Sequence, residues 1–255
     1  MKTIIPSSNG QTIMNHPHDN WAKYYDFVYN RTYGNVYHNF TTETLQLINR
    51  LLPSGTIIDY GASTGRLSIP LKQKGYDVIA VEQSAEMINV LTQKCSDNNL
   101  DIPTCYCSIA DYNEDKADLA LAVFTVLSYA TSEEELAENI KAIATHIKPN
   151  GYFLFDLPNA IFFNLKKLVD INAEDFTRVV QVLDNDQNDL YTYKESCTGN
   201  LNGEEFRYKT EFMLRNWSLS TLDKVLNEYG MIDTMQAFPQ FSSTGSTYKL
   251  YQKQL

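Results

Sequence analysis

The chain has 255 residues, 43% of them hydrophobic, enough for one α/β domain with an insertion or for two small domains around a sizeable core. Acids outnumber bases 31 to 21, and the formal charge of −10 argues against broad binding to a phosphate backbone, though not against a local basic patch. No run of about 18 apolar residues is long enough to cross a membrane, and the first residues lack the apolar core of a signal peptide, so a cytoplasmic location is expected. The four cysteines, Cys95, Cys105, Cys107 and Cys197, lack metal-ligand spacing.

Residues 1–18, punctuated by Ser, Asn and Gly and ending in His16-Pro17-His18, read as an irregular arm. No third ligand downstream completes a metal site with His16 and His18, so a solvated terminus is expected. Residues 21–40 are crowded with aromatics. Tyr25, Tyr29 and Tyr33 recur every four residues and so share one helix face, and Gly34 divides the segment. Thr41 or Thr42 can cap a helix over 43–52, with Leu45, Ile48, Leu51 and Leu52 as its apolar stripe. Tyrosine in place of leucine suggests a lid with hydroxyls aimed at a ligand, against the plainer reading of a helix packed on the core.

The stretch Ile57-Ile58-Asp59-Tyr60-Gly61-Ala62-Ser63-Thr64-Gly65 follows. A β-branched run ends in an acid, then in a tight turn, and residues 66–74 are amphipathic. A parallel strand feeding such a loop places backbone N–H groups and the positive helix end at the sheet's C-terminal edge. A phosphate loop would need Gly-Lys-Ser/Thr, but Arg66-Leu67 follow Gly65. A dinucleotide fingerprint would need G-x-G-x-x-G, but Ala62 and Ser63 stand where its second glycine belongs. A second buried strand, 76–82, ends on Glu82. A carboxylate at the tip of the neighbouring parallel strand can accept both hydroxyl protons of a ribose. Ser84 caps the next helix, in which Met87 either backs a ligand ring or fills core.

Residues 104–108 read as a third strand, with Cys105 and Cys107 on one face as buried free thiols. The unbroken apolar run 117–124 suits a central parallel strand, with residues 124–129 at its ligand edge. Ser132 and Glu135 form a capping box for a helix over 133–146, a turn at 148–151 follows, and then a strand over 152–156. Residues 158–217 depart from the α/β alternation. Asn202-Gly203 is a hairpin signal. Folding there pairs Tyr191 with Leu214, Tyr193 with Phe212, Cys197 with Tyr208 and Gly199 with Phe206 on an apolar face, and Lys194 with Glu211 and Thr198 with Arg207 on a polar one. Residues 176–183 add a third strand. A capped helix over 218–230 ends in glycine, and strands over 231–238 and 247–252 close the sheet.

The D-x-G-x-x-x-G of Asp59 to Gly65, the strand-tip Glu82 and the run Gln83-Ser84-Ala85-Glu86-Met87-Ile88 together resemble the class I S-adenosylmethionine-dependent methyltransferases, whose first motif carries a glycine where Ser63 stands. The block from residue 117 to 156 resembles small-molecule N-methyltransferases, of the sugar and the glycine or sarcosine type. The resemblance covers residues 20–157 and 215–255. It implies a Rossmann-like α/β fold with a seven-stranded, mostly parallel sheet in the order 3-2-1-4-5-7-6. Residues 1–40 would form an arm and helical lid, 41–157 and 218–255 the core, and 158–217 an antiparallel substrate cap. Such a cap serves equally as a dimerisation sheet, and the two readings are compatible.

The resemblance implies S-adenosylmethionine as cofactor, with no metal. Asp59, Gly61, Ala62, Ser63 and Gly65 form its loop, with the backbone of Gly61, Ala62 and Gly65 against the methionine moiety. Glu82, with Gln83 beside it, holds the ribose, and Met87 and Ile109 sandwich the adenine. Ser108 stands where the family commonly carries an acid, so it or the backbone supplies the adenine amino contact. Tyr25, Tyr29, Tyr33 and Tyr37 close the site, with Tyr29 reaching the cofactor carboxylate. Phe124, Tyr129 and Asp156 sit where the acceptor enters, and Tyr33 and Tyr129 orient or deprotonate it. The implied acceptor is an amine or hydroxyl of a small molecule. The alternatives are RNA, which the charge disfavours, a protein, a cofactor-binding relative that transfers no methyl, or a nicotinamide enzyme on a similar sheet.

Overall fold

The computed structural model describes residues 16–164, 168–187, 189–241 and 244–255. The expected irregular arm over 1–15 lies outside the described residues. The central strands are apolar and buried on both faces, as parallel strands under two helical layers must be. Thr56–Tyr60 (β1), Asp77–Glu82 (β2), Thr104–Tyr106 (β3), Ala117–Ala122 (β4) and Ile147–Pro158 (β5) run parallel. The helices that cover them are Ser68–Gln73 (α3), Ala85–Asp97 (α4) and Glu133–Thr145 (α5), preceded by Tyr25–Tyr33 (α1) and Asn35–Leu51 (α2). Side chains alternate across the sheet. Ile57 joins a core with Leu47 and Ile48 of α2, Leu71 of α3 and Leu91 of α4. Ile58 joins a core on the other side with Leu136, Ile140 and Ile143 of α5.

A short helix, Ala160–Asn164 (α6), leads out of β5 into a second, four-stranded antiparallel sheet. Its strands are Val169–Asn172 (β6), Phe176–Asp184 (β7), Leu190–Leu201 (β8) and Glu204–Arg215 (β9). Asn202 and Gly203 both take positive φ, +55° and +91°, as a tight hairpin turn requires. All six expected cross-strand pairs of the β8–β9 hairpin form. The chain then returns through Leu219–Glu228 (α7) to Met231–Asp233 (β10) and Ser246–Lys253 (β11), which close the main sheet antiparallel. Its order, β3-β2-β1-β4-β5-β11-β10, is the expected one. The order in which strands are added reverses between β1 and β4, and the crevice above that switch is where an open α/β sheet binds its ligand.

Four local expectations need correction. Helix α2 starts directly after Gly34, not at Thr41 or Thr42. Both threonines lie inside it, and Thr41 Oγ1 donates to the Tyr37 carbonyl at 2.9 Å, the interior use of a residue type that also caps. The 148–151 turn lies within β5, where Asn150 takes φ +64° and the register with β4 shifts. The strand expected over 231–238 stops at Asp233, whose Oδ1 accepts the Met235 N–H at 2.8 Å with Met235 at φ +59°. Cys105 and Cys107 are only half-buried, because β3 is the edge strand of the sheet. Among the described residues no helix is long and apolar enough to cross a membrane.

Candidate active site

The β1 tip carries the loop and the β2 tip carries the acid, and backbone bonds tie the two together. Gly61 N–H and Ala62 N–H donate to the Val81 carbonyl at 2.8 and 3.1 Å. The Glu82 carboxylate accepts Ser63 N–H at 2.8 Å through Oε2 and Ser84 N–H at 2.8 Å through Oε1. Burial pushes this carboxyl above its usual range, and the surrounding N–H groups pull it back. Asp59, buried in β1, accepts Ser68 Oγ at 2.5 Å, and burial raises its pKa to about 6. Ser63 sits at φ +52° where the resembled motif has glycine, so the loop keeps a left-handed turn without one. Gly65 serves packing instead: at φ +89°, any side chain would overlap Leu91 and Ile69.

Helix α1 is fastened over this loop. Asp26 Oδ1 accepts Thr64 Oγ1 at 2.8 Å, Lys94 pairs with Asp26, and Lys94 Nζ also reaches the Thr64 carbonyl at 2.9 Å. The other face of α1 presents Tyr25 and Tyr29, stacked at 4.5 Å, and Tyr33. Beneath Tyr29 and Tyr33 lies the buried Arg178 of β7, its guanidinium 4.8 and 5.6 Å from the two rings.

These elements enclose a cavity of about 370 Å³, within the size range of small-molecule sites. It runs from Cys107, Ser108 and Ile109 past Gln83, Glu82 and Gly61–Ser63 to residues 123–126, 129 and 130 after β4 and to 244–246 at the start of β11. Fourteen of the seventeen expected site residues line it; Gly65, Met87 and Asp156 do not. Met87 is fully buried beneath the loop, its Sδ 3.4 Å from Ser63 Oγ, in a core with Trp21 and Tyr25. The Ser108 hydroxyl is already engaged, donating to Asp111 Oδ2 at 2.7 Å.

At the β4 end Phe124 and Thr125 hold positive φ, +82° and +66°. Their N–H groups both donate to Asp156 Oδ1. Asp156 is fully buried behind this bend and holds it, while Phe124 and Tyr129 face the cavity. The Tyr129 ring stacks on Phe212 of β9 at 5.2 Å, and its hydroxyl lies 3.1 Å from His18 Nε2.

His18 overturns the expectation of a solvated terminus. Its ring meets Trp21, Tyr129 and Phe212 edge-on at 5.3–5.7 Å, and it lines the cavity with His16. Burial, with His16 nearby, lowers its pKa to about 3 and keeps the imidazole neutral. Its partners lie far along the chain, so no local pattern marks it. Arg66 also went unassigned in the sequence, although a cation directly after the last glycine of a ligand loop was the available signal. It lines the cavity, with its guanidinium 5.1–5.5 Å from the rings of Phe124, Phe40 and Tyr37. No group of three or more potential metal ligands occurs among the described residues.

The arrangement places an acid, a bent backbone, an apolar wall at Ile109 and an aromatic roof around one cavity, a set of groups whose chemistry suits a nucleoside. A family model described as a methyltransferase domain matches residues 34–190. A putative methyltransferase of Bacillus subtilis (strain 168), YqeM, is 29% identical over 105 residues, 40% of this chain. The match spans 42% of that relative, less than half its length. The crystal structure of an S-adenosylmethionine-dependent methyltransferase from Clostridium acetobutylicum ATCC 824 superposes with a TM-score of 0.79 at 17% identity, covering 92% of this chain and 100% of the other. That of the sugar N-methyltransferase KedS8 from Streptoalloteichus sp ATCC 53650 gives 0.70 at 15% identity, covering 100% and 99%. At such identities the two structures establish likeness of fold.

Proposed function

The chain belongs to the methyltransferase-domain family, and from that premise we propose that it uses S-adenosylmethionine to methylate an amine or hydroxyl of a small molecule. The observation that carries this reading is Glu82: an acid at the β2 tip, bonded to the loop of the β1 tip and facing a cavity open at one mouth. When bound, the cofactor supplies a methyl group already activated on a sulfonium. Glu82 accepts the ribose hydroxyls, Ile109 packs against the adenine, and Gly61–Ser63 lie along the methionine moiety. Tyr25, Tyr29, Tyr33 and Tyr37 exclude water and fix the acceptor's line of approach, a contribution on the order of 7–11 kcal/mol for well-oriented reactants.

Tyr129 orients the acceptor. Burial keeps its hydroxyl un-ionised and keeps His18 neutral, so the pair forms a hydrogen bond rather than a charged couple. With its proton directed at His18 Nε2, Tyr129 Oη turns its lone pairs toward an acceptor N–H or O–H. The enclosed volume, the charge of −10 and the sugar N-methyltransferase among the fold neighbours favour a small acceptor over RNA or protein. The sheet within 158–217 acts as its cap, contributing Tyr193, Phe212 and Leu214 to the cavity.

The test is methyl transfer from labelled S-adenosylmethionine to pooled amines, sugars and phenols. Label should appear in a small molecule, and Tyr129→Phe, which removes the orienting hydroxyl, should lower turnover on the order of 100-fold while affinity for S-adenosylhomocysteine stays within about twofold. Label confined to RNA or protein, or none despite cofactor binding, would defeat the reading.

A further inference from the structure

Arg66 is a cation with too few partners. A guanidinium has five N–H donors and cannot shed its charge. Among the described residues Arg66 makes one hydrogen bond, from Nη1 to Thr41 Oγ1 at 3.1 Å, and its other neighbours are the three aromatic rings. Two acids lie near enough to act on its charge, but neither is hydrogen-bonded to it: Asp59 accepts from Ser68, and Asp156 Oδ1 accepts from the Phe124 and Thr125 N–H groups. A desolvated cation left this way is costly unless a bound anion completes it. The residue lines the cavity and retains partial exposure there.

Its position indicates which molecule brings the anion. Glu82 and Ile109 mark the nucleoside end, at the tips of β2 and β3. Arg66 lies on the opposite side of the loop, against Phe124 at the β4 tip, where the acceptor enters. The cavity mouth nearby carries two exposed apolar side chains, Val36 and Ile161. We infer that the methyl acceptor is itself an acid, an amine or hydroxyl compound whose carboxylate is bound by Arg66 and whose apolar, ring-bearing body lies along Phe124 and the mouth.

This inference rests on the cofactor reading above, and a matched pair of probes separates the two. Benzoate and benzamide have the same shape and differ in charge. With the protein saturated in S-adenosylhomocysteine, calorimetry should show benzoate binding at least tenfold more tightly than benzamide, a ratio that needs no variant. Arg66→Met should bring that ratio within about twofold, and Arg66→Lys should retain part of it. Equal binding of the two probes, no binding of either, or a preference surviving Arg66→Met would overturn the inference. So would an Arg66→Met protein that binds S-adenosylhomocysteine tenfold more weakly and 5′-methylthioadenosine unchanged, because the guanidinium would then serve the cofactor's own carboxylate. Failure of the wild-type protein to bind S-adenosylhomocysteine would instead strike the cofactor reading.

Discussion

Asp59 shows how one buried residue links the site to stability. Its carboxyl is withdrawn from water in a central strand, and the single hydroxyl of Ser68 does not compensate, so its pKa rises to about 6. A carboxyl raised on folding favours the native state fully below the ordinary carboxylate range, and that contribution disappears as pH climbs through about 6. A rise of this size corresponds to on the order of 3 kcal/mol. Asp59→Asn removes the titration but keeps the shape. Relative to this variant, the wild-type protein should lose about that much stability between pH 4 and pH 7, as measured by urea unfolding at fixed pH values. A difference that does not vary with pH would mean that Asp59 stays ionised throughout. His18 titrates in the opposite sense: its lowered pKa favours the native state above about 6.5 and less as pH falls toward 3. The comparison with the Asn variant cancels that background.

The antiparallel sheet and the helix above it are joined through one buried cluster. Arg178 Nε and Nη2 meet both oxygens of Glu195 at 2.8 and 3.1 Å, and Nη1 donates to Thr32 Oγ1 of α1 at 2.9 Å. The Tyr193 and Tyr208 hydroxyls donate to the same carboxylate at 2.7 and 2.5 Å. Arg178→Leu would strand a buried carboxylate and should cost about 3–5 kcal/mol. The double variant with Glu195→Leu should recover much of that loss. Urea unfolding of both checks it, and a loss under about 1 kcal/mol for the single variant would show that the cluster does not join sheet to helix. The hairpin that carries Glu195 was readable beforehand, because Asn202-Gly203 fixes the turn and the two-residue alternation then fixes every pair. The inward charge was not, because Arg178 occupies a β7 position that would otherwise be apolar and its partners lie on other elements. Strand β6 was missed because Val169-Asp170-Ile171-Asn172 is too short to show a period. The α2 start was missed because threonine serves equally as a cap and as an interior residue bonded to the preceding turn.

For the whole molecule, the sheet order and the meeting of the Gly61–Ser63 loop with Glu82 were legible because β1 and β2 are apolar runs that each end on an acid, with a glycine bend after the first, and the later parallel strands are apolar runs spaced by helices. The rest of the cavity was less legible. It is assembled from the end of the N-terminal arm, the lid, the β4 bend and the antiparallel sheet, segments far apart in the chain that only the finished fold brings together. In the proposed function two adjacent strand tips grip a nucleoside through Glu82, and titration calorimetry with S-adenosylhomocysteine, with NAD as control, is the sharpest check. Saturable binding of the former is expected, none of the latter, and a loss of at least tenfold in affinity in a Glu82→Ala protein that still melts cooperatively. Affinity for S-adenosylhomocysteine within about twofold of wild type in that variant, or preferential binding of NAD, would contradict it.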